Sequence, residues 1–83
     1  MRIISQNLMD FPYGQIVVAV DDNKVICRPV NDMGGRYYTL GIYRDEERAE
    51  EVFNAIGDSY NNPDISWSNS LAHEKRIFAM PEE

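Results

Sequence analysis

The sequence contains a single cysteine, Cys27, and a single histidine, His73. An intrachain disulfide needs two cysteines, and a structural zinc site needs four nitrogen or sulfur ligands, so both are excluded. A nucleophile and base pair made by Cys27 and His73 is the remaining option for covalent catalysis. Cys27, however, lies in a predicted strand, where a lone cysteine usually packs as a small apolar side chain. We therefore expect no enzymatic activity, no metal and no cofactor.

Long apolar runs are also missing. The longest covers residues 16–20, whereas a membrane-spanning helix needs about 20 apolar residues. Residues 1–6 lack the apolar stretch and the small-residue cleavage site of a signal peptide. We expect a cytoplasmic protein without a membrane partner.

Basic residues are few, with 8 Lys and Arg against 14 Asp and Glu and a net charge of −6. Direct binding of a nucleic-acid backbone needs a surface rich in Lys and Arg, so it is not expected. The same acidity suits a basic protein partner. A chain of 83 residues has room for one core, so residues 1–83 are predicted to form a single domain. Since no disulfide or metal reinforces that core, we expect a homo-oligomer.

Several segments have the β-branched composition and the alternation of strands. They are residues 2–6, 15–20, 24–30, 36–43 and 77–80. Turn residues separate the first four of them, and Asp21, Asp22 and Asn23 are typical of a hairpin loop. This order predicts an antiparallel β-meander of about five strands.

One helix is predicted over residues 45–60, where apolar residues recur with a helical period. The stripe consists of Ala49, Val52, Phe53, Ile56 and Tyr60. Acidic residues at its start favour the positive end of the helix dipole, and Pro63 stops the helix. The predicted fold is α+β, in the order β-β-β-β-α-β, with the helix packed on one face of the sheet. Residues 64–70 are predicted to form a loop pinned by Ile65 and Trp67.

Alternation along residues 36–43 divides the side chains between two faces of the sheet. It places Tyr38, Leu40 and Ile42 toward the core, and Tyr37, Thr39, Gly41 and Tyr43 on the opposite face with Val17 and Ala19. An aromatic, partly apolar face of this kind is typical of a subunit interface, and it also suits stacking on a nucleotide base.

Arginines supply most of the positive charge, and Arg44 and Arg48 lie one helical turn apart. They are candidates for a phosphate clamp near the helix N-terminus, although Asp45, Glu46 and Glu47 at the same place favour salt bridges instead. The predicted ligand-binding residues are Tyr37, Tyr43, Arg28, Arg36, Arg44 and Arg48. The oxygen-bearing residues near the helix end lack the spacing of a calcium loop, so they are interpreted as capping and turn residues. These are Asp58, Asn61, Asn62 and Asp64.

Three segments resemble a group of short proteins found in prophages and mobile elements of Gram-positive bacteria. They are residues 1–6, the Asp-Phe-Pro-Tyr turn at residues 10–13, and residues 41–49. In that group the last segment usually resembles Tyr-Ser-Thr-Glu-Glu-Arg-Ala, with a serine as the helix cap. Arg44 stands at the serine position here, so Asp45 is expected to cap the helix. The resemblance concerns the fold, and no functional residue is carried over from it.

A phage origin would suit a small non-enzymatic protein that counters host defence. The first hypothesis is a sponge that sequesters a nucleotide immune signal, such as a cyclic nucleotide or a related small molecule, at subunit interfaces. The second is an acidic inhibitor that occupies the basic surface of a defence or nucleic-acid-binding protein. The third is an accessory structural protein without a ligand. In each case the protein would act in the host-cell cytoplasm.

Overall fold

The computed structural model describes residues 1–31, 34–61 and 77–83. Within them the chain forms six strands and one α-helix, so the predicted α+β class is confirmed. The elements are β1 (Arg2–Ile4), β2 (Asp10–Pro12), β3 (Ile16–Asp21), β4 (Lys24–Pro29), β5 (Tyr38–Ile42), α1 (Glu46–Asn61) and β6 (Ile77–Ala79). A short 3-10 turn, Tyr13–Gln15, connects β2 to β3.

The strands form two three-stranded sheets, so the single five-stranded meander is not confirmed. One sheet is antiparallel in the order β3-β4-β5, and the other has the order β2-β1-β6, with β6 parallel to β1. In the second sheet the buried Ile3 lies opposite both Phe11 and Phe78. The predicted turn after β1 therefore contains a strand of its own. Its three residues are too few to show a period-two pattern.

The β3-β4 hairpin forms where the alternation predicts it. Asp21 pairs with Lys24 across a two-residue loop, in which Asp22 has a φ of 58°, a conformation that aspartate tolerates better than most residues. Val18 lies opposite Cys27, and Val20 lies opposite Val25, on the face that packs toward the core. This face of the hairpin holds α1.

A β-bulge interrupts the pairing of β4 with β5. Ile26 lies opposite Thr39, but Val25 lies opposite Gly41, which leaves Leu40 as the extra residue. A bulge shifts the side-chain alternation of its strand by one position. Residues of β5 after Leu40 therefore face the side opposite to the one that simple alternation predicts.

Three of the predicted orientations, two on β5 and one directly after it, are wrong for this reason. Ile42, expected in the core, is 53% exposed. Gly41 and Tyr43, expected on the opposite face, are buried, Tyr43 at 4% exposure. Before the bulge the prediction is right, since Leu40 is fully buried and Tyr38 is half-buried against the core.

Helix α1 begins one residue after Asp45, whose Oδ1 accepts a hydrogen bond of 2.8 Å from the backbone N–H of Arg48. This is the geometry of a helix cap, and it confirms the expected role of Asp45. Of the predicted stripe, Ala49, Val52 and Ile56 are buried. Phe53 and Tyr60 are each more than one-third exposed, so they lie at the rim of the stripe, and Tyr60 contacts the ring of Tyr13 there.

The buried core joins both sheets to the helix. It is formed by Met1, Ile3, Phe11, Val25, Cys27, Leu40, Tyr43, Ala49, Val52, Ile56 and Met80. Within the described ranges, α1 is neither long enough nor apolar enough to cross a membrane. The predicted loop at residues 64–70, His73, Lys75 and Arg76 lie outside the described residues.

Candidate functional site

The face of the β3-β4-β5 sheet that points away from α1 is exposed. Alternation and the observed register place on it Val17, Ala19, Asp21, Lys24, Ile26, Arg28, Thr39 and Ile42, which we call the outer face. Ala19, Ile26 and Thr39 form one row across the three strands, and Val17 lies opposite Arg28 in another. Val17 and Ile42 are each about half exposed, at 46% and 53%. The outer face is thus a partly apolar surface with basic residues set into it.

Tyr37 and Arg36 directly precede β5. The last pair of the β4-β5 ladder joins Tyr38 to Cys27, so Tyr37 follows that pair toward the end of the sheet at which Arg28 lies. Tyr37 is 60% exposed, and Arg28 and Arg36 are exposed as well. Within residues 1–31, 34–61 and 77–83, neither arginine forms an ion pair. Among the described residues, no carboxylate competes with an anion for their guanidinium groups.

A second location, at the far end of β5, is a cleft of about 540 Å³. Its lining residues are Ile42, Tyr43, Arg44, Arg48, Glu51, Glu82 and Glu83. The cleft thus contains three of the predicted ligand-binding residues, Tyr43, Arg44 and Arg48, and it brings them together with three glutamates.

Arg48 is already engaged within the cleft. Its Nε and Nη2 donate hydrogen bonds of 3.1 and 2.8 Å to the main-chain oxygen of Glu83, and its Nη1 lies 3.3 Å from Oε1 of Glu51. Its guanidinium carbon also lies 5.8 Å from the centre of the Tyr43 ring, within range of a cation–π contact. These contacts use Arg48 to hold the last described residues against the helix.

Tyr43 is a structural residue in this arrangement. Its hydroxyl donates a hydrogen bond of 2.9 Å to the carbonyl oxygen of Pro81. Burial raises the pKa of Tyr43 above its ordinary value of 10.0, while the nearby charge of Arg48 and a hydrogen bond with Gln6 act in the opposite direction. A ring that is 4% exposed has no face on which a base can stack, so Tyr43 is not the stacking residue that the sequence predicts.

The charge of the cleft also argues against a phosphate there. Glu51, Glu82 and Glu83 outnumber its two arginines. Arg44, whose side chain is 77% exposed, has only a loose contact of 3.6 Å with Asp45. An anion entering the cleft would meet three carboxylates, which repel it. The cleft is therefore unsuited to a phosphate, as the acidic residues at the start of the helix already indicate in the sequence.

The predicted ligand-binding residues do not form one site. Tyr37 precedes the five-residue strand β5 and Tyr43 follows it, and six steps along an extended chain span about 20 Å. Arg28, Arg36 and Tyr37 lie at one end of the sheet, and Tyr43, Arg44 and Arg48 at the other. Of the two groups, only the first combines an exposed aromatic ring with unpaired guanidinium groups among the described residues.

Sequence reasoning missed Ile26, Ile42 and Gln6. Alternation along β4 places Ile26 on the same face as Arg28, so its position on the outer face was available from the pattern. Ile42 joins that face only because of the bulge. Gln6 closes the edge of β5: its backbone N–H donates to the Leu40 carbonyl at 2.8 Å, and its Oε1 accepts from the Ile42 N–H at 2.9 Å. No local pattern around Gln6 signals this role.

Cys27 is poorly suited to nucleophilic chemistry. It is 1% exposed, and burial raises the pKa of its thiol from 9.0 to about 11, which keeps the thiol protonated near neutral pH. Its predicted partner His73 lies outside the described residues. No group of three or more potential metal-ligating side chains occurs in the part of the chain that the structure describes, and Asn62 and Asp64 of the predicted capping cluster lie beyond it.

Comparisons with protein-family models, with curated proteins and with solved structures found no match to this chain.

Proposed function

We propose that this chain is a non-enzymatic binding protein that holds a small nucleotide at a subunit interface formed by its outer face. One observation carries the proposal: Tyr37, Arg28 and Arg36 are all exposed, and they lie at the same end of the β3-β4-β5 sheet. A tyrosine ring stacks on a base for about 1–3 kcal/mol, and an arginine binds a phosphate with two parallel hydrogen bonds. These are the two chemical features by which a nucleotide is recognised.

The charge distribution favours a small ligand over a polymer. The net charge of −6 opposes an extended phosphate backbone, whereas two arginines suffice for one or two phosphates. Among the described residues, none forms a wall around the outer face. A neighbouring subunit would supply the enclosure that most small-molecule sites have, and the apolar residues of this face, Val17, Ile26 and Ile42, would be buried in the contact.

We further propose that the bound nucleotide is a host immune signal and that the protein is a phage-type sponge. This step depends on the resemblance of residues 1–6, 10–13 and 41–49 to prophage proteins. Sequestration needs binding without turnover, and the buried, protonated thiol of Cys27 suits a protein that leaves its ligand intact.

The test is a thermal-shift and calorimetric titration with cyclic dinucleotides and with isomers of cyclic ADP-ribose. We expect at least one of them to raise Tm for the wild-type chain, and Arg36→Gln and Tyr37→Leu to remove the increase. Arg44→Gln is the matched control, because Arg44 is also an exposed arginine but lies at the other end of β5. Failure of every nucleotide to bind, or an equal loss in the Arg44 variant, contradicts the proposal.

A second candidate function, an inhibitor that occupies a basic protein surface, is favoured by the solvent side of α1. Glu46, Glu47, Glu50 and Asp58 are exposed there. A row of exposed carboxylates along a helix attracts a basic groove on another protein. The inhibitor would displace a fluorescent DNA duplex from a basic DNA-binding protein. The double variant Glu47→Gln and Glu50→Gln would lose this effect while retaining nucleotide binding, which separates the two candidates.

A further inference from the structure

Strand β3 has an unpaired edge within the described residues. It is the first strand of the β3-β4-β5 sheet, and no described strand pairs with its other side. The Asp21–Lys24 pair closes the hairpin loop, and at the other end of the ladder the Val30 N–H donates to the Gln15 carbonyl at 3.1 Å. Odd-numbered residues of β3 therefore bond to β4. By the alternation of antiparallel ladders, Val18 and Val20 direct their N–H groups to the open side.

At the opposite edge of this sheet, formed by β5, backbone groups are already hydrogen-bonded. On β5 the bulge at Leu40 breaks the ladder, and Gln6 occupies the exposed backbone groups of Leu40 and Ile42. Natural edge strands are usually protected by such bulges, by proline or by lysine. The sequence of β3, Ile-Val-Val-Ala-Val-Asp, has none of these features over six residues. An unprotected apolar edge of this length is a template for another strand.

We propose that β3 pairs antiparallel with β3 of a second copy of this chain, centred on Val18. The N–H of Val18 would donate to the carbonyl of the partner subunit's Val18, and the N–H of Val20 to the carbonyl of the partner subunit's Ile16. With the reciprocal bonds, the ladder has about four hydrogen bonds. The Ile16 N–H takes no part, because it donates to the Tyr13 carbonyl in the 3-10 turn.

The side chains of β3 fit this register. On the outer face, Val17 lies opposite the partner subunit's Ala19, and Asp21 lies opposite the partner subunit's Gln15. The Gln15 amide can donate to that carboxylate, so no two like charges face each other across the pair. On the inner face, the half-buried Ile16 meets the partner subunit's Val20. A register centred on Ala19 would instead set Asp21 against the partner subunit's Val17, burying a carboxylate beside an apolar side chain.

This pairing would fuse two sheets into one of six strands with the outer face on one side. It leaves the outer face uncovered, so it is a different contact from the one that would enclose a nucleotide there, and it depends only on the geometry of β3. Nucleotide titration tests the proposed ligand, and the molecular mass without nucleotide tests the β3 pairing. Either proposal can therefore fail without the other.

The experiment is light scattering after size exclusion, with a matched pair of variants. For the wild type at about 100 μM we expect twice the chain mass of 9.6 kDa. Ala19→Glu adds a charge next to Asp21 on the pairing edge and should give the monomer mass. Thr39→Glu adds the same charge in the same cross-strand row but on β5, and should stay dimeric. Circular dichroism checks that both variants are folded.

Hydrogen exchange provides the second readout. In the dimer the amides of Val18 and Val20 should be protected, and dilution or the Ala19→Glu substitution should remove that protection. A monomeric wild type, or a dimer that Ala19→Glu and Thr39→Glu affect equally, would overturn the proposal. So would protection of these two amides in the monomer, because it would show that another part of the same chain covers the edge.

Discussion

Gly41 and Tyr43 are packed so closely that position 41 has no space for a side chain. A Cβ atom at Gly41 would lie 2.6 Å from the Tyr43 hydroxyl oxygen and 2.9 Å from two carbons of its ring. The bulge at Leu40 causes this approach, because it turns Tyr43 back over the strand into the core. The glycine is therefore needed for the burial of Tyr43, which in turn determines the shape of the cleft.

We predict that Gly41→Ala destabilises the protein by about 2 kcal/mol, the usual cost of overfilling a packed core. Gly57→Ala is the control, since a Cβ at Gly57 meets nothing within 4 Å. Gly57 lies inside α1, where alanine is favoured over glycine by about 0.5–1 kcal/mol. Urea unfolding should show a lower midpoint for the first variant and a higher one for the second. Equal effects of the two would mean that the Gly41–Tyr43 contact does not limit packing.

Elements that depend on local sequence were predictable, and features that depend on the bulge or on distant pairing were not. The helix and the β3-β4 hairpin were predictable, because each depends on local periodicity and local turn residues, such as Asp45 at the cap and Asp22 in the loop. The orientation of Tyr43 was not predictable, because one extra residue at Leu40 reverses the alternation and no pattern announces a bulge. The parallel pairing of β1 with β6 joins residues more than 70 positions apart in three-residue strands. Such contacts are set by packing of the whole chain.

For the candidate site too, features set by local alternation were predictable and features set by distant contacts were not. The shared face of Val17, Ala19 and Thr39 was predictable from period-two alternation, whereas the position of β3 at the edge of its sheet was not, because both faces of this strand are apolar in sequence. The separation of Tyr37 from Tyr43 was not, since both were assigned to one face. Arg44 and Arg48 were expected to lie one turn apart near the helix start, and they line one cleft. What the sequence did not show is that Arg48 is bonded to the main chain of Glu83.

The hydroxyl of Tyr43 should contribute to stability through its hydrogen bond to the Pro81 carbonyl. Tyr43→Phe removes the donor and leaves a half-buried carbonyl without this partner, and we expect a loss of about 0.5–1.5 kcal/mol. Tyr37→Phe removes the same atom from a ring that is 60% exposed, and should change stability by less than about 0.5 kcal/mol. The free energies of unfolding in urea provide the comparison. A Tyr37 effect as large as the Tyr43 effect would contradict the assignment of Tyr43 as a structural residue.

The thiol of Cys27 should make the protein less stable in alkali. Its pKa is about 11 in the folded chain and near 9.0 when exposed, so between these values the unfolded chain has lost the proton and the folded chain retains it. Ionisation then favours unfolding, and the contribution present below pH 9 is lost as the pH rises toward about 11. Tyr43, whose pKa is also raised, acts in the same direction at higher pH.

Cys27→Ala separates the two contributions. The variant should be less stable than the wild type at pH 8, because it loses buried volume, but the difference should narrow between pH 9 and about 10.5. Tyr43 titrates in both proteins and cancels from the comparison. Urea unfolding at a series of pH values gives the measurement. Parallel stability curves for the two proteins would show that the thiol does not titrate differently in the folded chain.

Arg48 should anchor the last described residues, whereas Arg44 should not. Arg48 donates two hydrogen bonds to the Glu83 main-chain oxygen and has a side chain that is 28% exposed, while the Arg44 side chain is 77% exposed. Arg48→Met keeps much of the apolar stem and removes the donors, so the amide of Met80, whose N–H donates to the Ile4 carbonyl at 2.9 Å in the same segment, should exchange faster by about fivefold, the equivalent of about 1 kcal/mol. Arg44→Met removes the same charge and should leave that exchange unchanged. Because both variants alter net charge equally, a similar acceleration in both would assign the effect to general electrostatics, and no acceleration in the first would show that Glu83 is held by other contacts.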